Sequence, residues 1–138
     1  MRFIHRRTPD SSRVRALGPY HIEALLDEAE EGLATAYRVR IEPGQTTDVS
    51  FHKIAEEFYF VLAGSGVAVI DGTPVKLLPG DFLRLPPGTT HGFITHDEAL
   101  EMLDIHTPGC RPDRDTYFAG QTPPGFGLKE KSHEPVPE

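Results

Sequence analysis

From Ala34 onward the chain reads as short apolar-polar alternations cut by glycine and proline. "ATAYRVRI" (34–41) sets Tyr37, Val39 and Ile41 against Arg38 and Arg40 and ends at Pro43-Gly44. That period of two is a half-buried strand. "EFYFVLA" (57–63) stops at "GSG", and "VAVI" (67–70) and "TPVKLL" (73–78) flank Asp71-Gly72, the pair expected in a type I′ hairpin turn. "PGD" turns the chain into "FLRL" (82–85), "PPG" turns it again, and "HGFI" (91–94) and "LEMLDIH" (100–106) follow. About eight strands at hairpin spacing predict an all-β sandwich or closed barrel rather than a parallel sheet with crossover helices. "HIEALLDEAEEG" (21–32) has two readings. Ile22, Leu25, Leu26 and Ala29 fall at helical spacing, but a strand ending near Leu26 with an acidic turn closed by Gly32 is preferred. Residues 1–33 form an N-terminal extension with the first strands, and 34–108 the barrel core. Residues 109–138 form an arm packing through Tyr117, Phe118 and Phe126, then a loose polar tail.

Composition narrows the partners. The 138 residues suit one domain, and 38% hydrophobic with 25% charged residues is an ordinary globular balance. Acidic residues exceed basic ones by 21 to 14, a net charge of −7, which argues against nucleic acid and against an anionic membrane surface. Small molecules or other protein chains are the expected partners. The single cysteine, Cys110, rules out an internal disulfide or a cysteine metal cluster. The N-terminus lacks the apolar run of a signal peptide, and no stretch is long enough to span a bilayer, so a cytoplasmic location is expected.

The chemistry gathers around "SFHKIAEEFYF" (50–60). In extended chain Asp48, Ser50 and His52 share one face, as do Glu57, Tyr59 and Val61. The four residues "KIAE" between His52 and Glu57 have the length of a tight connection, which would set the two side by side. His91 opens a strand of its own. Two imidazoles and a carboxylate suit a borderline divalent metal with positions left open for substrate. The plainer reading is a solvated histidine beside an exposed pair of glutamates.

Two motifs in this region resemble those of the cupins. "GQTTDVSFHKIAEEFYFVLAG" carries Gly44, Ser50, His52, Glu57 and Gly64 at the spacing of the first motif, and "GDFLRLPPGTTHGFIT" carries Gly80, Pro86, Gly88, His91 and Thr95 at that of the second. The resemblance implies a double-stranded β-helix, or jelly-roll, barrel. It also implies a divalent metal ion (iron, manganese, nickel or zinc) held by His52, Glu57 and His91, with Glu56 turned outward. Ser50 stands where the family's first histidine ligand belongs, and a serine hydroxyl is a poor ligand for such an ion. Ser50 is left to hydrogen-bond a bound water or substrate, or simply to fill space. The implied function is a metal-dependent enzyme acting on a small oxygenated organic substrate, either a dioxygenase or an isomerase or lyase using Lewis-acid chemistry. The alternative is a non-catalytic module that binds a sugar or organic acid with a weak metal site or none. Cupins commonly pair by strand exchange, which implies a homodimer.

Around this centre Tyr59 shares the inward face with Glu57, as a proton donor, a ligand contact or packed wall. Along "LEMLDIH", one alternation would turn Asp104 and His106 inward as an acid/base pair, and the other Leu103 and Ile105. Apolarity favours the second, although the mouth of a small barrel often carries polar groups, which keeps His106 as a catalytic candidate. Arg38, Arg40 and Arg84 have the chemistry to hold an anionic substrate group, Arg38 being the candidate for ligand binding, although strand arginines more often lie outside. His5, His21, His96 and His133 read as surface residues. Cys110 has no activating partner nearby in sequence.

Overall fold

A computed structural model describes residues 3–112 and 114–120. The described residues form eleven strands in two antiparallel sheets, packed as a jelly-roll barrel. In the first sheet the order is β1 (Val14–Leu17), β2 (Tyr20–Ala24), β3 (Thr35–Ile41), β10 (Leu100–Thr107), β5 (Glu56–Gly64) and β8 (Phe82–Leu85). In the second it is β11 (Tyr117–Phe118), β4 (Ser50–Phe51), β9 (His91–Ile94), β6 (Gly66–Ile70) and β7 (Thr73–Leu77). Among the described residues no helix is long and apolar enough to cross a membrane.

The segment after Tyr20 takes the strand reading. β2 ends at Ala24, and Leu25 still donates its N–H to the Ala36 carbonyl at 2.8 Å. The acidic stretch then closes as a 3₁₀ turn, Glu28–Glu30, capped by Asp27. Between β6 and β7, Asp71 and Gly72 both have positive φ (49° and 82°), as a type I′ turn requires.

Strand register sorts the barrel interior from an apolar end to a polar end. Along β10, Met102 lies between Val39 and Val61, Asp104 between Tyr37 and Tyr59, and His106 between Thr35 and Glu57. Ile41, Leu77, Phe93 and Leu100 close the apolar end. The alternation of β10 is therefore opposite to the one favoured from apolarity. Asp104 and His106 face inward and are buried, whereas Leu103 and Ile105 face outward and are half-buried. The physical reason is register: the strand must bury Leu100 and Met102 against the core, and the same face then carries its polar half to Glu57. Outside, Leu103 lies opposite Phe60, and Ile105 opposite Phe58, so neighbouring aromatic side chains cover them.

Arg38, expected as a ligand-binding group, belongs to the outer face of β3. Its Nη2 donates to Glu101 Oε1 at 2.9 Å, and the inward places on either side belong to Tyr37 and Val39. Arg40 is engaged by Glu42 and Glu101 on the same outer face.

Gly64, which ends β5, has φ +81°, and a Cβ there would lie 1.7 Å from the carbonyl oxygen of Ala99. The left-handed backbone alone costs a side-chain-bearing residue about 1–3 kcal/mol. Backbone on a neighbouring turn has little room to yield. Gly64→Ala is expected to lower the unfolding free energy by more than about 2 kcal/mol in urea denaturation, or to prevent folding. Unchanged stability would show that the Ala99 turn moves freely.

Candidate metal centre

β5 carries Glu57 into the polar end of the barrel, where its carboxylate is 1% exposed. Three imidazoles meet it from different elements. His52, just beyond β4, places Nε2 3.2 Å from Oε1, and His91, opening β9, places Nε2 3.1 Å from the same oxygen. His106 of β10 places Nε2 2.8 Å from Oε2. β4 contains only Ser50–Phe51, so strand alternation does not extend back to Asp48, which is exposed. Ser50 is buried and is the register partner of His91. Glu56 does turn away, pairing with Arg84 at the surface.

The electrostatics fit an ion better than a set of hydrogen bonds. Glu57 Oε1, Asp104 Oδ1 and His106 Nδ1 are buried without a hydrogen-bond partner, so the two imidazoles beside Oε1 are close to it but not bonded to it. Burial pushes the Glu57 carboxyl up, but the imidazoles of His106, His91 and His52 outweigh it and hold the group well below the usual carboxylate range. Burial, then the neighbouring Glu57 charge, push Asp104 well above its ordinary value. Burial and the charges of Asp104 and Glu57 likewise keep the Tyr59 phenol protonated. His52 would be lowered by burial, but contacts with Cys110 and Glu57 push it up to about 11.

His52, Glu57 and His91 offer one nitrogen or oxygen each within 4.8 Å of one another, and Glu57, Asp104 and His106 form a second such group. Nitrogen and carboxylate donors of this kind suit a divalent transition metal. The orphaned oxygen of Glu57 is the place such an ion would fill, so the residues present fit the group.

A segment with no sequence signal orients His52. After β10 the chain crosses the barrel mouth as a strap. The Cys110 carbonyl accepts from the hydroxyls of Thr35 and Tyr37, both at 3.0 Å. Asp115, at φ 47°, accepts from His52 Nδ1 through its carbonyl (2.7 Å), and its carboxylate accepts from the backbone N–H groups of Lys53, Ile54 and Ala55. β11 then pairs with β4. Fixing Nδ1 in this way directs Nε2 at Glu57. Cys110, set aside on sequence grounds, is buried with Sγ 3.5 Å from His52 Nδ1 and 2.9 Å from the Arg114 carbonyl. Only folding brings these partners together, since they lie 58 and 63 residues from His52. Of the aromatic residues expected to pack the arm, Tyr117 and Phe118 form β11, half-buried, and Phe126 lies outside the described residues.

Above the cluster lies a pocket partly open to solvent. Its walls include Tyr20 and Ile22 of β2, Tyr37 and Val39 of β3, Tyr59, and strap residues Pro112, Thr116 and Phe118, so aromatic and apolar side chains surround a few polar groups.

A jelly-roll barrel with buried imidazoles and a carboxylate under an open pocket defines the class. A family model for the cupin domain matches residues 37–106, half of the chain, and the protein belongs to the cupin family. A 59-residue stretch is 30% identical to quercetin 2,3-dioxygenase from Bacillus subtilis, covering 43% of this chain but only 18% of that protein. A sugar phosphate isomerase of the cupin superfamily from Silicibacter pomeroyi superposes with a TM-score of 0.64 at 25% identity, over 76% of this chain and 68% of that one. Streptomyces Pac13, solved as a variant with uridine, superposes with a TM-score of 0.67 at 20% identity, over 86% and 88% of the two chains, a likeness of fold alone.

Asp115→Ala removes the acceptor for three backbone donors. It is expected to cost about 1–3 kcal/mol of stability in denaturant unfolding. It should also free the His52 ring, read as a shifted or broadened Nδ1 proton resonance. An unmoved resonance would show that the strap does not position His52.

Proposed function

We propose that the protein is a metal-dependent cupin enzyme acting on a small, oxygen-bearing organic substrate. The observation that carries this reading is the orphaned Oε1 of Glu57, flanked by the nitrogens of His52 and His91 at ligand-like separations below an open pocket. His52, Glu57 and His91 would hold the ion. When bound, it would supply either dioxygen activation or Lewis-acid polarisation of a substrate oxygen, depending on the metal.

The chain's own groups do the rest. Tyr59, kept protonated, presents a phenol beside the cluster as a proton donor or hydrogen-bond donor to substrate. The Ser50 hydroxyl, buried beside His91, offers a hydrogen bond to a bound water or substrate. Tyr20, Tyr37 and Phe118 give the pocket flat apolar walls. The guanidinium that lines the pocket among the described residues, Arg111, is already engaged by Glu31 (2.7 Å) and the Leu26 carbonyl (3.0 Å), so a bound ion and the imidazoles, rather than this arginine, would meet the substrate's oxygens.

Elemental analysis of protein purified without added metal, and without a metal-binding tag, tests this reading. Near-stoichiometric iron, manganese, nickel or zinc in the wild type is expected, falling to less than about a tenth in Glu57→Gln. No metal in either, even after soaking with each ion, would overturn it. The alternative favoured by Ser50, a binding module for a sugar or acid, would then take its place.

The partner we propose is a second copy of the chain. Phe60 (42% exposed) and Phe82 (61%) are register partners, and with Leu62 they form an apolar outer face on β5 and β8. β8 is the last strand of its sheet, so its edge is available for pairing with the same edge of another copy. Light scattering is expected to give a dimer mass for the wild type and a monomer mass for Phe82→Asp. A wild-type monomer at tens of micromolar would remove this assignment.

A further inference from the structure

We propose that His106 supplies the imidazole that Ser50 does not, so that the metal centre has three histidines and one glutamate, with one ligand moved from the second sheet to the first. This inference rests on the metal reading above and reassigns His106 from acid/base group to ligand.

Two ligands each about 2.1 Å from an ion and at right angles to one another lie about 3 Å apart. His52 and His91 Nε2 lie 3.2 and 3.1 Å from Glu57 Oε1, and His106 Nε2 lies 2.8 Å from the other oxygen, Oε2, so the two possible ligand groups, His52–Glu57–His91 and Glu57–Asp104–His106, share this one carboxylate. His106 and Glu57 are register partners on adjacent strands, both inward and both at most 5% exposed, so the approach is built into the sheet. The His106 and His52 rings meet edge to face with centroids 4.7 Å apart.

A second observation comes from the far side of the ring. His106 Nδ1 and Asp104 Oδ1 are both buried and unpartnered, 3.9 Å apart, just beyond hydrogen-bond reach. A ligating histidine almost always donates its other N–H to a carboxylate or carbonyl. With Nε2 on an ion, a small rotation lets Nδ1–H donate to Asp104, and both orphaned atoms are satisfied. His52 already has such an arrangement through Asp115. His106 is thus equipped as a ligand on both nitrogens, from a strand outside both sequence motifs.

Cobalt(II) titration of metal-free protein, followed by its visible absorption bands and by chelator competition, tests the assignment in four proteins: wild type, His106→Gln, Ser50→His/His106→Gln and Ser50→His. Thermal melts of the metal-free forms verify folding. We expect His106→Gln to weaken cobalt binding about 100-fold or more and to change the bands. Restoring an imidazole at position 50 in that background should recover most of the lost affinity. Wild-type affinity and bands in His106→Gln would overturn the proposal. So would a loss that Ser50→His leaves unrepaired, since His106 would then act through packing or through Glu57. Failure of the wild type to bind cobalt or any of the four expected metals would sink the metal reading itself, and this assignment with it.

Discussion

The interior of this barrel is organised around one buried carboxylate. Glu57 is held ionised against its own desolvation because imidazoles from three separate elements converge on it. That convergence constrains both sheets. β5 must place Glu57 inward, β10 must run in a register that brings His106 beside it, and β9 must open with His91 at the same depth. Shifting any of these strands by one residue would exchange its inner and outer faces and leave the carboxylate buried without compensation. The apolar end of the barrel then follows from the same registers, since Met102, Val61 and Val39 are the next inward places along β10, β5 and β3.

Much of this was legible in the residues. The alternation over 34–41, the Asp71-Gly72 turn and the glycine and proline punctuation mark strands and turns because those signals are local. Gly64 and the spacing from Glu57 to it also place the carboxylate in the correct register. Other features depend on distance through the fold. The inward face of β10 could not be chosen from apolarity, because Leu103 and Ile105 are as apolar as Leu100 and Met102. Only pairing with Glu57 decides it. Arg38 looks like an anion-binding residue until Glu101, 63 residues away, is seen beside it. Asp115 and Cys110 lie in a stretch with no periodicity and acquire meaning only where the strap meets the loop after β4.

The aromatic walls of the pocket come from separate parts of the fold. Tyr20 and Tyr37 stand on the first sheet and Phe118 on the strap, so a bound molecule would lie between elements from both ends of the described chain. Arg111, at the same rim, is already engaged by Glu31 and the Leu26 carbonyl.

The strap makes one residue answer for two things. The His52 ring is steered by a carbonyl 63 residues further along, and the loop holding that ring is closed by the same residue's carboxylate. The pairing that closes the first sheet is equally long-range, Thr35 meeting His106 across 71 residues, so neither the sheet nor the strap is a local structure. A change at Asp115 therefore reaches the ring and the loop that carries it together, although Asp115 itself lies outside the barrel's strands.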